Sequence, residues 1–106
     1  MKITYKKAVR DKIPEIIENS GKKCVVHKLT DDDYLLELEK KLHEEITEYL
    51  SNKDLEELAD VFEVLYRILE LRKVSVEEME SIRSEKFLKR GGFEKNYFLL
   101  EVRDIE

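Results

Sequence analysis

The chain is poor in the residues that staple or punctuate small proteins. Among 106 residues there are one cysteine, one proline and three glycines. Cys24 alone cannot close an intrachain disulfide, and no CxxC or Cys/His spacing offers a zinc site. No apolar run approaches the roughly 18 residues that span a bilayer. The opening MKITYKKAVRDK lacks the apolar centre of an export signal. The expectation is a reduced, cytoplasmic protein with no membrane contact. An excess of basic charge is also missing. With 25 acidic and 20 basic side chains the net charge is −5, which argues against a nucleic-acid polymer as partner. There is no Walker-type or GxGxxG loop, and none of the serines sits in a GxSxG elbow. His27 and His43 have no partner at ligand spacing. No linker or repeat interrupts the chain, so residues 1–106 are expected to form a single domain.

What is present is charge on a helical frame. Charged residues make up 42% of the chain and apolar residues another 42%, a balance that suits helices with ion-paired surfaces. Residues 3–9 read as extended. Asp11 is placed to cap a short helix over 12–20, with Pro14 in its first turn and Gly21 as a left-handed stop. Residues 24–29 (CVVHKL) are short and β-branched, which predicts a strand. Thr30 opens a long helix, with three aspartates following where the N-terminal dipole favours them. Leu35, Leu38, Leu42, Ile46 and Tyr49 recur on it at helical spacing. Residues 51–54 break the pattern. Leu55, Leu58, Phe62, Leu65 and Leu69 then read as the core stripe of a second helix, which makes an antiparallel hairpin with the first. Ser75 and Glu78 form a capping box for a third helix ending near Arg90, before Gly91 and Gly92. Residues 97–102 predict a last strand, a partner for 24–29. The expected fold is therefore mainly α. It has a helical hairpin, a third long helix, a short N-terminal helix and a small β element. A core this small would gain from burial against a second copy, so a homodimer or homotetramer is expected.

Most of the acids read as a solvated face, but four do not. Taking Leu42 as the centre of the first long helix's apolar face, Glu45 lies about 60° away, at its edge. Glu48 follows one turn later. On the second helix Glu57 and Asp60 head a stripe that continues through Val64, Ile68 and Leu71, with Val61 beside it. That stripe expects a cover, either the third helix or a neighbouring subunit. The short turn sets Glu48 opposite Glu57 and Glu45 opposite Asp60. Four carboxylates that close need protons or cations. Oxygen donors without His or Cys suit Mg²⁺ or Mn²⁺.

The third helix carries the opposite sign. Val76, Met79, Arg83, Lys86 and Arg90 share a face whose last three members are basic. Cations beside a metal cluster suit a polyphosphate ligand, although the helix dipole alone also favours bases there. Arg10 and Lys12 are a further basic pair. Tyr5, Phe62, Tyr66, Phe87, Phe93 and Tyr97 are available to stack on a base.

The pattern Glu44-Glu45-x-x-Glu48 followed by Glu57-x-x-Asp60 resembles the EExxE…ExxD signature of the MazG-like, all-α nucleoside triphosphate pyrophosphohydrolases. Residues 8–17 (AVRDKIPEII) and 90–95 (RGGFEK) are similar to the two ends of a small single-domain branch. Its members are called phosphoribosyl-ATP pyrophosphohydrolase-like or house-cleaning enzymes. The resemblance covers nearly the whole chain and implies a MazG-like bundle. It also implies Mg²⁺-dependent hydrolysis of a nucleoside triphosphate to monophosphate and pyrophosphate. By residue matching, Glu45, Glu48, Glu57 and Asp60 would be metal ligands. Glu44 would be either an acid just behind them or the base that orients water. Arg83, Lys86 and Arg90, with Lys12 and Arg10, would meet the phosphates. Only eight residues separate Glu48 from Glu57, fewer than in many members, which bears on pocket depth and base selectivity. Two rival readings are phosphoribosyl-ATP hydrolysis in histidine biosynthesis and a non-catalytic helical module that binds metal or nucleotide.

Overall fold

The computed structural model describes residues 1–105. Four helices follow one another: α1 (Ile13–Asn19), α2 (Asp31–Asn52), α3 (Leu55–Leu71) and α4 (Val76–Arg90). The described residues contain no strand, so the chain is mainly α. No helix among them is long and apolar enough to cross a membrane. The chain divides into two compact units, residues 1–75 with α1 to α3, and residues from Val76 onward with α4.

In the first unit, the start of α2 follows directly from Thr30. Its backbone is extended, and its Oγ1 accepts a hydrogen bond from the Asp33 N–H at 3.2 Å. One of the donors orphaned by the first turn is thereby satisfied. The helix runs further than expected, through Ser51 and Asn52. It stops at Lys53, which turns left-handed (φ 61°) and donates its N–H to the Tyr49 carbonyl at 2.7 Å. Only Lys53 and Asp54 link α2 to α3, and the two helices pack together as an antiparallel hairpin.

The face of α3 that meets α2 differs from the leucine stripe predicted for it. Val64 is buried, and it shares a cluster with Ala8 and Leu38 against which Tyr34, Leu42, Ile68 and Leu71 pack. Leu55, Phe62 and Leu65 are exposed instead. The Val64–Ile68–Leu71 stripe is thus covered by α2 and by Ala8 from the N-terminal segment. The acids at the head of that stripe are carried toward α2 with it.

α1 also differs at its start. Lys12, not Asp11, occupies the capping position, and no side chain caps the helix. The Arg10 carbonyl accepts from the Ile13 N–H at 3.0 Å in place of a side-chain cap. Gly21 takes the left-handed conformation (φ 87°) that ends the segment. Residues 3–9 form no regular element, but Lys7, Ala8, Val9 and Arg10 touch the hairpin. The Tyr34 hydroxyl donates to the Val9 carbonyl at 3.4 Å.

The two predicted strands do not form. Residues 24–29 and 97–102 lie in different units. An extended segment gains its backbone hydrogen bonds only by joining a ladder. Without one, Val25, Val26 and Leu29, like Tyr97 to Leu100, stay exposed. In the second unit α4 begins immediately after Ser75 and ends at Gly91, which is left-handed (φ 79°) and donates to the Phe87 carbonyl at 2.7 Å.

Two substitutions separate a side-chain cap from a backbone one. Thr30→Ala is expected to cost about 1 kcal/mol. Asp54→Ala, whose side chain caps nothing, should stay within about 0.5 kcal/mol. Urea unfolding followed by helical circular dichroism measures both.

Candidate metal centre

Five acids lie on the parts of α2 and α3 that flank their link. Glu44, Glu45 and Glu48 come from the last third of α2, and Glu57 and Asp60 from the first two turns of α3. Residues three apart share a helix face, so each helix presents a pair. One oxygen each of Glu45, Glu57 and Asp60 lies within 4.8 Å of the others. Glu48 stands beside this trio. Repulsion from Glu45 raises its pKa first, and a shared hydrogen bond with Glu57 raises it further. Proximity to two carboxylates therefore keeps a proton on Glu48 to higher pH than an isolated glutamate would hold it.

Glu45 is the unusual member. It is only 5% exposed, the one buried charged side chain among the described residues. Lys41, one turn earlier on α2, reaches its Oε1 at 3.4 Å. Its Oε2 is buried with no hydrogen-bond partner. An ionised oxygen held away from water without a donor costs free energy until a proton or a cation reaches it. Glu45 belongs to a group of three carboxylates with no nitrogen or sulfur donor. That donor set fits a hard divalent ion such as Mg²⁺ or Mn²⁺.

Cations already line the edge of the site. Glu44 pairs with Lys7 at 3.4 Å and with Lys41 at 3.8 Å. Arg10 donates to Asp60 Oδ1 at 2.6 Å and approaches Glu63 at 4.0 Å. Asn52 donates to Glu57 at 3.4 Å. Lys41 is readable in the sequence as the i,i+4 partner of Glu45. Lys7 and Arg10 were not readable as partners, being 37 and 50 residues from the acids they meet.

The other basic residues expected at the site are Lys12, Arg83, Lys86 and Arg90. Lys12 is exposed at the start of α1. Arg83, Lys86 and Arg90 are on α4, in the second unit. Arg83 is engaged by Glu80 through Nε at about 3.0 Å. That bond holds the Glu80 carboxyl below its ordinary range and Arg83 above its own.

Comparison with known proteins adds little to this geometry. An uncharacterized protein of Mycolicibacterium smegmatis (strain ATCC 700084 / mc(2)155) is 50% identical over 40 residues, 38% of this chain and 41% of that protein. The chain therefore spans less than half of that relative's length. No protein-family model matches the sequence, and no solved structure matches it.

The raised pKa of Glu48 has a signed consequence. Between the ordinary glutamate value and the raised one, the folded chain holds a proton that the unfolded chain has lost. Stability from this group therefore falls as pH rises through that window. Glu48→Gln removes the loss. In chelator, the melting temperature of Glu48→Gln should exceed wild type at neutral pH. The gap should close as pH falls below the ordinary glutamate value. A pH series of thermal melts reads it.

Proposed function

We propose that the chain hydrolyses a nucleoside triphosphate to the monophosphate and pyrophosphate, using a divalent cation held by Glu45, Glu57 and Asp60 with Glu48 alongside. The observation that carries this reading is that Glu45, one of the converging carboxylate trio, is buried with its Oε2 unpartnered. The EExxE…ExxD signature with its two flanking motifs gives the reaction class, as a member of the MazG-like pyrophosphohydrolases in their house-cleaning branch. When bound, Mg²⁺ neutralises charge on the phosphate oxygens and acidifies water.

The protein's own groups then have distinct tasks. Glu48, beside Glu45 and hydrogen-bonded to Glu57, is the proposed group that takes a proton from the attacking water. That water attacks the α-phosphorus, the bond to the α–β bridging oxygen breaks, and pyrophosphate leaves. Glu44 is engaged by Lys7 and Lys41, so it orients Lys41 toward Glu45 rather than acting as the base. Lys12 and Arg10, in the same unit as the acids, are the proposed phosphate contacts there. The basic stripe Arg83, Lys86 and Arg90 supports a polyanionic ligand by its chemistry alone.

The test is a panel of canonical and modified nucleoside triphosphates with Mg²⁺, products resolved by phosphorus NMR. Monophosphate plus pyrophosphate is expected, reduced at least about a hundred-fold in Glu45→Gln and Asp60→Asn. Diphosphate plus phosphate would reassign the bond. Mg²⁺-dependent nucleotide binding without turnover would make the domain a binding module instead.

Self-association belongs to the same reading. Among the described residues only Ala8, Leu38 and Val64 are buried apolar side chains, while Phe62 and Leu65 on α3 are exposed. Sedimentation equilibrium should return at least twice the chain mass, and a monomer at micromolar concentration would refute it.

A further inference from the structure

Arg10 sits where a bound cation would compete with it. It belongs to the segment before α1, yet its side chain reaches across to α3 and donates to Asp60 Oδ1 at 2.6 Å. Asp60 is one of the three carboxylates whose oxygens converge. A guanidinium and a divalent ion on the same carboxylate place like charges side by side, and each is drawn there by the negative charge that the other neutralises.

The two cations at the trio differ in how firmly they are placed. Lys41 reaches Glu45 from the same helix, one turn away, and is largely covered. It takes Oε1 and leaves the orphaned Oε2 free, so it has no need to leave when a cation enters. Arg10 is more than half exposed. It also has a second acceptor close by, since Glu63, one turn further along α3 and outside the trio, lies 4.0 Å from its other terminal nitrogen. A small rotation of the side chain would transfer the guanidinium from Asp60 to Glu63 without moving the backbone.

We propose that Arg10 is the resident counter-ion of the acidic site, and that a divalent cation displaces it from Asp60. This rests on the metal reading above and adds a regulation of that site. In the metal-free chain Arg10 ties the N-terminal segment to α3 and offsets the repulsion among the acids. With metal bound, Arg10 is released toward Glu63 or toward the phosphates of an incoming nucleotide. The coupling is reciprocal: whatever Arg10 takes from metal affinity, metal takes from the hold of Arg10.

The experiment is Mn²⁺ binding to the full chain, followed by the electron paramagnetic resonance signal of the free ion. Wild type is compared with Arg10→Gln, Arg10→Lys and Lys40→Gln. Lys40 pairs with Glu37 on the exposed side of α2 and controls for net charge. Arg10→Gln should bind Mn²⁺ about two- to five-fold more tightly, the factor an exposed ion pair corresponds to. Arg10→Lys, which keeps the charge without the two-armed fork, should fall between, and it serves if Arg10→Gln folds poorly. Lys40→Gln should match wild type. Melting adds a second readout: Arg10→Gln should melt below wild type in chelator, and saturating Mn²⁺ should narrow that difference. Equal or weaker binding by the Arg10 variants would overturn the proposal and make Arg10 a group that orients Asp60. Equal tightening by Lys40→Gln would overturn it as well. No Mn²⁺ uptake by wild type would instead bring down the metal reading itself, and this proposal with it.

Discussion

With only Lys53 and Asp54 between them, α2 and α3 cannot slide along each other without breaking the left-handed turn that joins them. The hydrogen bond from Lys53 to the Tyr49 carbonyl closes α2 at one residue, and α3 begins two residues later. Register between the helices is set at that point. From it follow the packing of Val64 with Leu38 and the meeting of Glu45, Glu57 and Asp60. A longer connection would tolerate several registers, some of which would let the acids spread into solvent. The short one holds them together despite their repulsion.

That repulsion is managed in graded steps. Glu44 is answered by two lysines, Asp60 by Arg10, and Glu45 by Lys41 at one oxygen. Glu48 is answered by retaining its proton longer. What is left over is a single buried oxygen, Oε2 of Glu45. The compensation comes mostly from partly exposed pairs, which are individually weak. A site built this way keeps its acids close while leaving one of their oxygens without a partner.

Much of this was legible in the sequence because it is local. Thr30 with Asp33, the left-handed Gly21 and the stop at Gly91 depend on neighbours a few residues away. The i,i+3 spacing of Glu45 with Glu48 and of Glu57 with Asp60 is likewise local, and the brevity of the link supplied the rest. The misreadings came from competition between similar options. α3 carries two apolar stripes, and leucine and phenylalanine content favoured the wrong one. Only the partner helix decides which stripe is buried, and that information is not in the helix itself. The predicted strands at 24–29 and 97–102 had β-branched or apolar composition but no way of revealing whether a partner would be there. Asp11 looked like a cap by identity, yet the chain turned one residue later. Arg10 and Lys7 were visible only as charges, since no pattern within either segment links them to acids dozens of residues away.

Residues 7–10 bridge the two arms of the hairpin. Lys7 grips α2 through Glu44, Ala8 is buried in the shared core, and Arg10 grips α3 through Asp60. The segment is a clip across both arms of the hairpin, ionic at its two ends and apolar at its middle. Dissolved salt screens the ends and leaves the middle nearly untouched. Rising ionic strength should therefore loosen the clip from its edges inward, with Ala8 the last point of attachment and the hairpin beneath still closed. The N-terminal segment and the two helices that it spans thus have separate sensitivities to the ionic composition of their surroundings.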